Sequence, residues 1–269
     1  MCRSFSHLNS IKLYNFIAIV ITLCLLSGCS QRAESHTLDS QSYSTNISEN
    51  LSAGEKLFNE RADINKLREA VKTLYAARNP NQRNYEVEWK FAKYSYFLGK
   101  AEQTESDAIE VFEKGRDAAK IASRVDPNKP EGHFWYGANL GELARISPVT
   151  VGIKSVDDIR ESMNAVIAID PSYQNGSAYD ALGQLEMATR TLKNGTTQKA
   201  IDFYEKGIEV SPDNANLRLH LAEAYIAANK DIEAKKHLNA LFALTPNPLY
   251  EVEHKAAVDR GKILLSKNF

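Results

Sequence analysis

The side chains that could do chemistry in this chain are few and unevenly placed. All three cysteines, Cys2, Cys24 and Cys29, fall within the first 29 residues. The remainder therefore has no disulfide and no cysteine metal site. His133, His220, His237 and His254 are scattered, with no HExxH or comparable ligand spacing. Nucleophile elbows of the form GxSxG and Gly-rich phosphate loops are absent. No catalytic set, metal or cofactor is expected. One helix-spaced group remains: His133, Trp135, Asn139 and Glu142. Trp135, Asn139 and Glu142 are separated by four and then three residues, so they share a helix face. With His133 they could form an aromatic-walled pocket with a few orienting polar groups. The connection that follows, SPVTVGIK over 147–154, is unusually apolar. Val149, Val151 and Ile153 extend the candidate ligand or partner surface. Tyr85, Trp89, Tyr94, Tyr96 and Phe97 recur at helical spacing and read as core.

The position of Cys29 carries its own chemistry. Arg3 and Lys12 are the only formal charges before Arg32, and Phe16 to Leu26 is an apolar run broken only by Thr22. A membrane-spanning helix needs about 20 apolar residues, so the run is too short to span. A basic start, a short apolar segment and small residues after it mark a cleaved secretory signal. Leu26-Ser27-Gly28-Cys29 resembles the bacterial lipobox, whose cysteine is acylated and becomes the first residue of the mature chain. The resemblance implies a signal peptide over 1–28 and a Cys29 carrying palmitate-type acyl chains. Two or more such chains give stable anchoring where one gives only marginal binding. Ser30 stands where an Asp would retain such a protein at the inner membrane, which implies an outer-membrane, periplasm-facing lipoprotein. The rest of 29–50 is rich in Ser, Thr, Gln and Asn and reads as a flexible tether.

Arg3 and Lys12 apart, 31 basic residues face 34 acidic ones, a net charge of −3. No basic stripe suited to nucleic acid is present. From residue 51 onward the chain is expected to be all-α, because apolar residues recur at helical spacing and no alternating strand pattern appears.

The helices are organised by a repeat. In Ala215–Pro248, Leu221-Ala222 take positions seven and eight, Tyr225 eleven, Ala234 twenty, Leu238 twenty-four, Leu241 twenty-seven and Pro246 thirty-two. This resembles a tetratricopeptide repeat (TPR). Small residues at eight and twenty let two antiparallel helices cross closely, and the proline stops the second helix. Gly176–Pro212 shows Leu182-Gly183, Ala200 and Tyr204, and Pro130–Pro171 shows Tyr136-Gly137 and Leu140. In the latter unit Ile159 replaces the small residue at twenty, predicting a wider crossing. Tyr85–Pro127 offers Phe91-Ala92 and Gly115, and a first unit ends at Pro80. The expectation is a right-handed TPR-like α-solenoid over 51–269, of about five helix pairs and closed by a helix over roughly 250–266. Prolines 80, 127, 171, 212 and 246 are 47, 44, 41 and 34 residues apart. The excess over 34 predicts longer loops or helix ends. Ser155-Val156-Asp157-Asp158 reads as a capping box opening the next helix.

The order PEGHFWYGANLGEL over 130–143, then 146–161, then Ile169-Asp170-Pro171-Ser172-Tyr173 is similar to the T component of TPR-associated tripartite (TRAP) transporters. The segment YEVEWKFAKYSYFLG over 85–99 and the lipobox agree with it. That resemblance implies a periplasmic TPR adaptor, a homotrimer, and a protein partner such as a periplasmic solute-binding protein that delivers a small ligand. Anchored TPR lipoproteins also scaffold outer-membrane, pilus or cell-wall assembly, and that reading stands beside the first. If Cys29 carries the anchor, Cys29→Ala should abolish palmitate labelling and leave an unprocessed or soluble chain. Labelling unchanged from wild type would count against the lipobox.

Overall fold

The computed structural model of the protein describes Tyr43, residues 46–191 and residues 194–269, and Cys29 with the signal segment lies outside them. Eleven α-helices follow one another within the described residues. They form five antiparallel pairs: α1 (Ile47–Asn59) with α2 (Ile64–Ala77), α3 (Tyr85–Ala101) with α4 (Glu105–Val125), α5 (Pro130–Ile146) with α6 (Ile153–Ile169), α7 (Tyr173–Ala188) with α8 (Thr197–Val210), and α9 (Ala215–Ala227) with α10 (Asp231–Phe242). The last helix, α11 (Glu251–Asn268), packs against α9 and α10 and closes the stack. The chain is an all-helical, TPR-like solenoid.

Local chemistry sets the helix ends. Asn46, Asp63, Asn84, Thr104, Thr196 and Asn214 each accept a backbone N–H of the first turn that follows. Such caps satisfy donors that have no partner inside the helix. Pro130 sits in the first turn of α5, where its missing N–H is harmless. Helices α2, α4, α6, α8 and α10 stop two to four residues before Pro80, Pro127, Pro171, Pro212 and Pro246, as the repeat predicts. The Asn46 cap starts α1 at Ile47, four residues inside the stretch assigned to the tether.

The pairs cross where one partner lacks a side chain. A Cβ on Gly99 would lie 2.6 Å from the Phe112 ring, and one on Gly183 would overlap the Tyr204 ring. Ala222 and Ala234 serve the fifth pair and are fully buried. In the third pair Gly137 faces Met163 and Ser162 rather than Ile159. Ile159 is buried in the core near that crossing.

Surplus residues mostly become helix. The second pair has helices of 17 and 21 residues, against 13 and 12 in the fifth. Residues 147–154 are not a free loop. Pro148–Gly152 form a π turn, in which the N–H groups of Val151 and Gly152 both donate to the Ser147 carbonyl. This turn runs straight into α6 at Ile153, so Ser155 lies inside the helix and opens none. Its hydroxyl donates back to the Val151 carbonyl at 2.8 Å.

Successive first helices (α1, α3, α5, α7, α9, α11) touch one another, whereas successive second helices make no contact. The stack therefore bends towards the first helices, which form its inner face. One apolar core runs from Phe58 and Leu67 through Phe91, Tyr94 and Trp135 to Leu182, and another gathers Ile201, Tyr204, Leu217 and Leu221. Two substitutions test the crossing. Gly183→Ala should lower stability by about 1–3 kcal/mol, because its Cβ would overlap the buried Tyr204 ring and force it to shift. Gly141→Ala, whose Cβ meets nothing within 4 Å, should raise it by about 0.5–1 kcal/mol. Urea unfolding of both variants gives the comparison.

Candidate functional site

The group read from the sequence does not form a pocket. Trp135 is 2% exposed and packs among Tyr96, Phe97 and Phe134, with ring centroids 5.0–6.1 Å away. Asn139 is fully buried. Its amide donates to the carbonyls of Ala92 (3.2 Å) and Trp135 (2.7 Å), fastening α5 to α3. A buried amide that binds two backbone carbonyls is a packing device. His133 is half-buried at the start of α5, its Nε2 3.0 Å from the Pro127 carbonyl. Val151 turns back onto the core, while Ile153 is partly exposed and Val149 is open to solvent. Of the group, Glu142 alone reaches the inner face.

That face has a different set of residues. On it, Lys100 of α3 lies 3.9 Å from Glu142 of α5, which also binds Arg145 at 2.7 Å. Asp180 of α7 binds His220 Nδ1 of α9 at 2.6 Å and accepts from Gln184 at 2.8 Å. Glu223 of α9 binds Arg260 of α11 at 2.7 Å. Charged side chains thus join α3 to α5, α7 to α9, and α9 to α11. Between the last three first helices is a recess of about 300 Å³ lined by Gln184, Met187, Ala188, Tyr204, His220, Glu223 and Arg260. Its volume suits a side chain or a small polar group better than a cofactor. Among the described residues no cluster of His, Cys, Asp and Glu is placed to hold a metal.

The electrostatics of the recess centre on one pair. Burial alone would push the His220 pKa down, but the attraction of Asp180, its hydrogen bond and the charge of Glu223 outweigh burial and Arg260. The imidazole pKa is raised. Tyr204, at a centroid distance of 6.0 Å, is pushed upward by burial and by Asp180. Tyr136, further along α5, is pushed up to about 12 by burial and its bond to Asp158.

The repeat held a signal for this face. Gln184 and Glu223 each follow the small residue at position eight, Gly183 and Ala222. Aligning the units at that position would have found both. His220, Asp180 and Arg260 carry no comparable mark.

Comparison with known proteins places these features in a wider group. Residues 51–267 match the family model of regulator of microtubule dynamics protein 1-3. The chain is 24% identical over 165 residues to regulator of microtubule dynamics protein 3 of Rattus norvegicus, covering 56% of this chain and 35% of that one. It is also 28% identical over 148 residues to small glutamine-rich tetratricopeptide repeat-containing protein 2 of Mycosarcoma maydis, covering 53% and 36%. The match therefore spans about a third of the length of these relatives. Among solved structures, a thermophilic TPR protein of Thermus thermophilus superposes with a TM-score of 0.55 at 16% identity, covering 78% of this chain and 98% of that one. That likeness concerns the fold.

The raised pKa of His220 has a consequence for stability. A histidine that holds its proton more tightly when folded adds stability that is complete below its unfolded pKa of about 6.5. The contribution is lost as pH rises through the folded value. Urea midpoints should therefore fall from pH ~6.5 upward in the wild type. Asp180→Asn should flatten that slope. An equal slope in both proteins would remove the pair from the account.

Proposed function

We propose that this chain, which belongs to the family of regulator of microtubule dynamics proteins 1-3, is a protein-binding adaptor whose partner lies along the inner face of the solenoid. One observation carries the reading: the first helices of four successive units present charged side chains on one face, with a small recess at its C-terminal end. Such a face suits an extended or helical segment of another protein better than a buried small molecule.

The relatives support the same level of description. A rat protein named for microtubule dynamics and a fungal protein named for its tetratricopeptide repeats match this chain over comparable stretches. What they have in common with it is the solenoid, and most of each relative lies outside the match. Microtubule regulation is a property in the rat protein's name, and the shared scaffold by itself implies only partner binding.

The anchor belongs to this proposal too. With Cys29 acylated, residues 30–46 would hold the solenoid near a membrane surface, facing the periplasm if the outer-membrane sorting reading holds. Among the described residues no helix is long and apolar enough to cross a membrane. Service to a TRAP-type transporter, with a solute-binding protein as partner and a trimeric assembly, rests on the motif order over 130–173, the segment 85–99 and the lipobox. A scaffold for outer-membrane, pilus or cell-wall assembly would use the same inner face.

Photo-crosslinking separates binding on this face from binding elsewhere. A crosslinker at position 100 or 184, on the inner face, should give one adduct of defined mass. The same group at Glu113, exposed on α4, should give none. Equal adducts at both kinds of position, or adducts only at 113, would refute the reading.

A further inference from the structure

The last helix has two faces of different composition. Inward, Ala257 and Gly261 are buried, and Val258 and Leu264 pack on the cluster of Leu219 and Leu241, which seats α11 on α9 and α10. Outward, Val252, Ala256 and Ile263 are four and seven residues apart and so form one stripe. Val252 is 75% exposed and Ile263 66%, and among the described residues no helix lies over them. Leu249, in the turn just before α11, is as open. Along one side of the stripe stand Glu251, Lys255, Asp259 and Lys262, four, four and three residues apart and all exposed. Asp259 holds Lys255 at 3.0 Å and Lys262 at 3.7 Å within the helix.

This order of charges is its own complement when reversed. Acid, base, acid, base along one helix meets base, acid, base, acid along a copy that runs the other way. With the two helices crossing near residue 257, Val252 of one lies against Ile263 of the other, Lys255 against Asp259, and Glu251 against Lys262. One centre satisfies all three pairings in both directions. Ala256 lies beside that centre, and a small side chain there lets the helix axes approach. Parallel helices fit worse. Val252 would then meet Val252, and Lys255 and Lys262 would face Arg260 and Lys267 from the far side of the stripe. Exposed ion pairs within one helix contribute little, but at the rim of a contact each carboxylate gains a second ammonium and loses solvent screening.

We propose that the outer face of α11 is a self-association surface, on which a second copy of this chain docks its own α11 antiparallel about a two-fold axis. A two-fold contact presents the same patch on both copies, and the stripe with its charged flank is such a patch. The inner face takes no part in the contact, so the proposal goes beyond the adaptor reading. Two helices of 18 residues cover less than the roughly 1,200–2,000 Å² of a standard interface, so the dimer is weak and exchanges with monomer. It carries two inner faces, and a partner with two binding segments gains avidity from it.

The test uses the full chain in membranes, expressed as two copies with different epitope tags. Val252→Cys in one copy and Ile263→Cys in the other, joined by oxidation, should give about tenfold more mixed dimer than two Val252→Cys or two Ile263→Cys copies. Like positions would lie roughly 16 Å apart along the antiparallel helices, too far for a disulfide. The wild-type chain, with Cys2, Cys24 and Cys29, gives the background. Ala256→Arg in both copies should abolish the mixed dimer through bulk at the crossing. Val149→Ser, in the π turn and equally exposed, should leave it intact. Lys255→Glu in both copies should reduce the yield severalfold, and a Lys255→Glu copy paired with an Asp259→Lys copy should restore it, which no folding defect would do. Equal yields from mixed and like cysteine pairs, no adduct above background, indifference to Ala256→Arg, or no restoration by the charge swap would overturn the two-fold contact. Cysteines at 252 and 263 that give no adduct yet are shielded by the membrane from a water-soluble maleimide would assign the face to lipid and overturn it as well. Photo-crosslinking at positions 100 and 184 reads the inner face alone, so the two ideas fail separately.

Discussion

The structure depends on how closely two antiparallel helices can approach. Gly99 against Phe112, Gly137 against Met163 and Gly183 against Tyr204 each set a missing side chain opposite a large one. The large group then fills space that would otherwise separate the helices. Repeating this contact gives each pair nearly the same geometry, and repeated geometry is what lets pairs stack without any strand or disulfide. The core follows from it: Phe91, Tyr94, Trp135 and Leu182 line up because their helices are held at a common spacing. The family match over 51–267 covers this stack from its first helix nearly to its last.

Much of this was legible in the sequence because the crossing demands particular residues at fixed intervals. Prolines and small residues marked the pairs, and Tyr225, Leu238 and Leu241 stood where the fifth pair needed bulk. The failures have a shared cause. Ser155 resembled a cap, but a π turn begins the helix two residues earlier, and no short motif announces a π turn. Trp135 and Asn139 looked like a site because aromatic and amide groups on one face suit both pockets and packing. The carbonyls of Ala92 and Trp135 decide between them, and Ala92 lies on another helix.

The inner face was hardest to read for a related reason. Asp180 and His220 are 40 residues apart, and neither is unusual in its own helix. They become a pair only through the spacing of α7 and α9. Arg61 and Lys93, which both lie against the Phe58 ring, are harder still, since what distinguishes them is the lack, among the described residues, of a carboxylate within ion-pair distance, which sequence distance does not encode. The two ends of the face differ in character as a result. Among the described residues, the N-terminal end holds Arg61 and Lys93 without ion-pair partners beside the paired Lys90, whereas at the C-terminal end Asp180 and Glu223 are matched by His220 and Arg260.

The contact between first helices, with none between second helices, also sets how the stack can deform. Tightening the curve compresses side chains already in contact and is strongly resisted. Straightening it meets no obstruction on the outer side and is restrained by inner-face packing and by ion pairs between first helices: Glu55–Lys90, Lys100–Glu142, Asp180–His220 and Glu223–Arg260. The solenoid is thus a one-way spring, stiff against closing and compliant in opening.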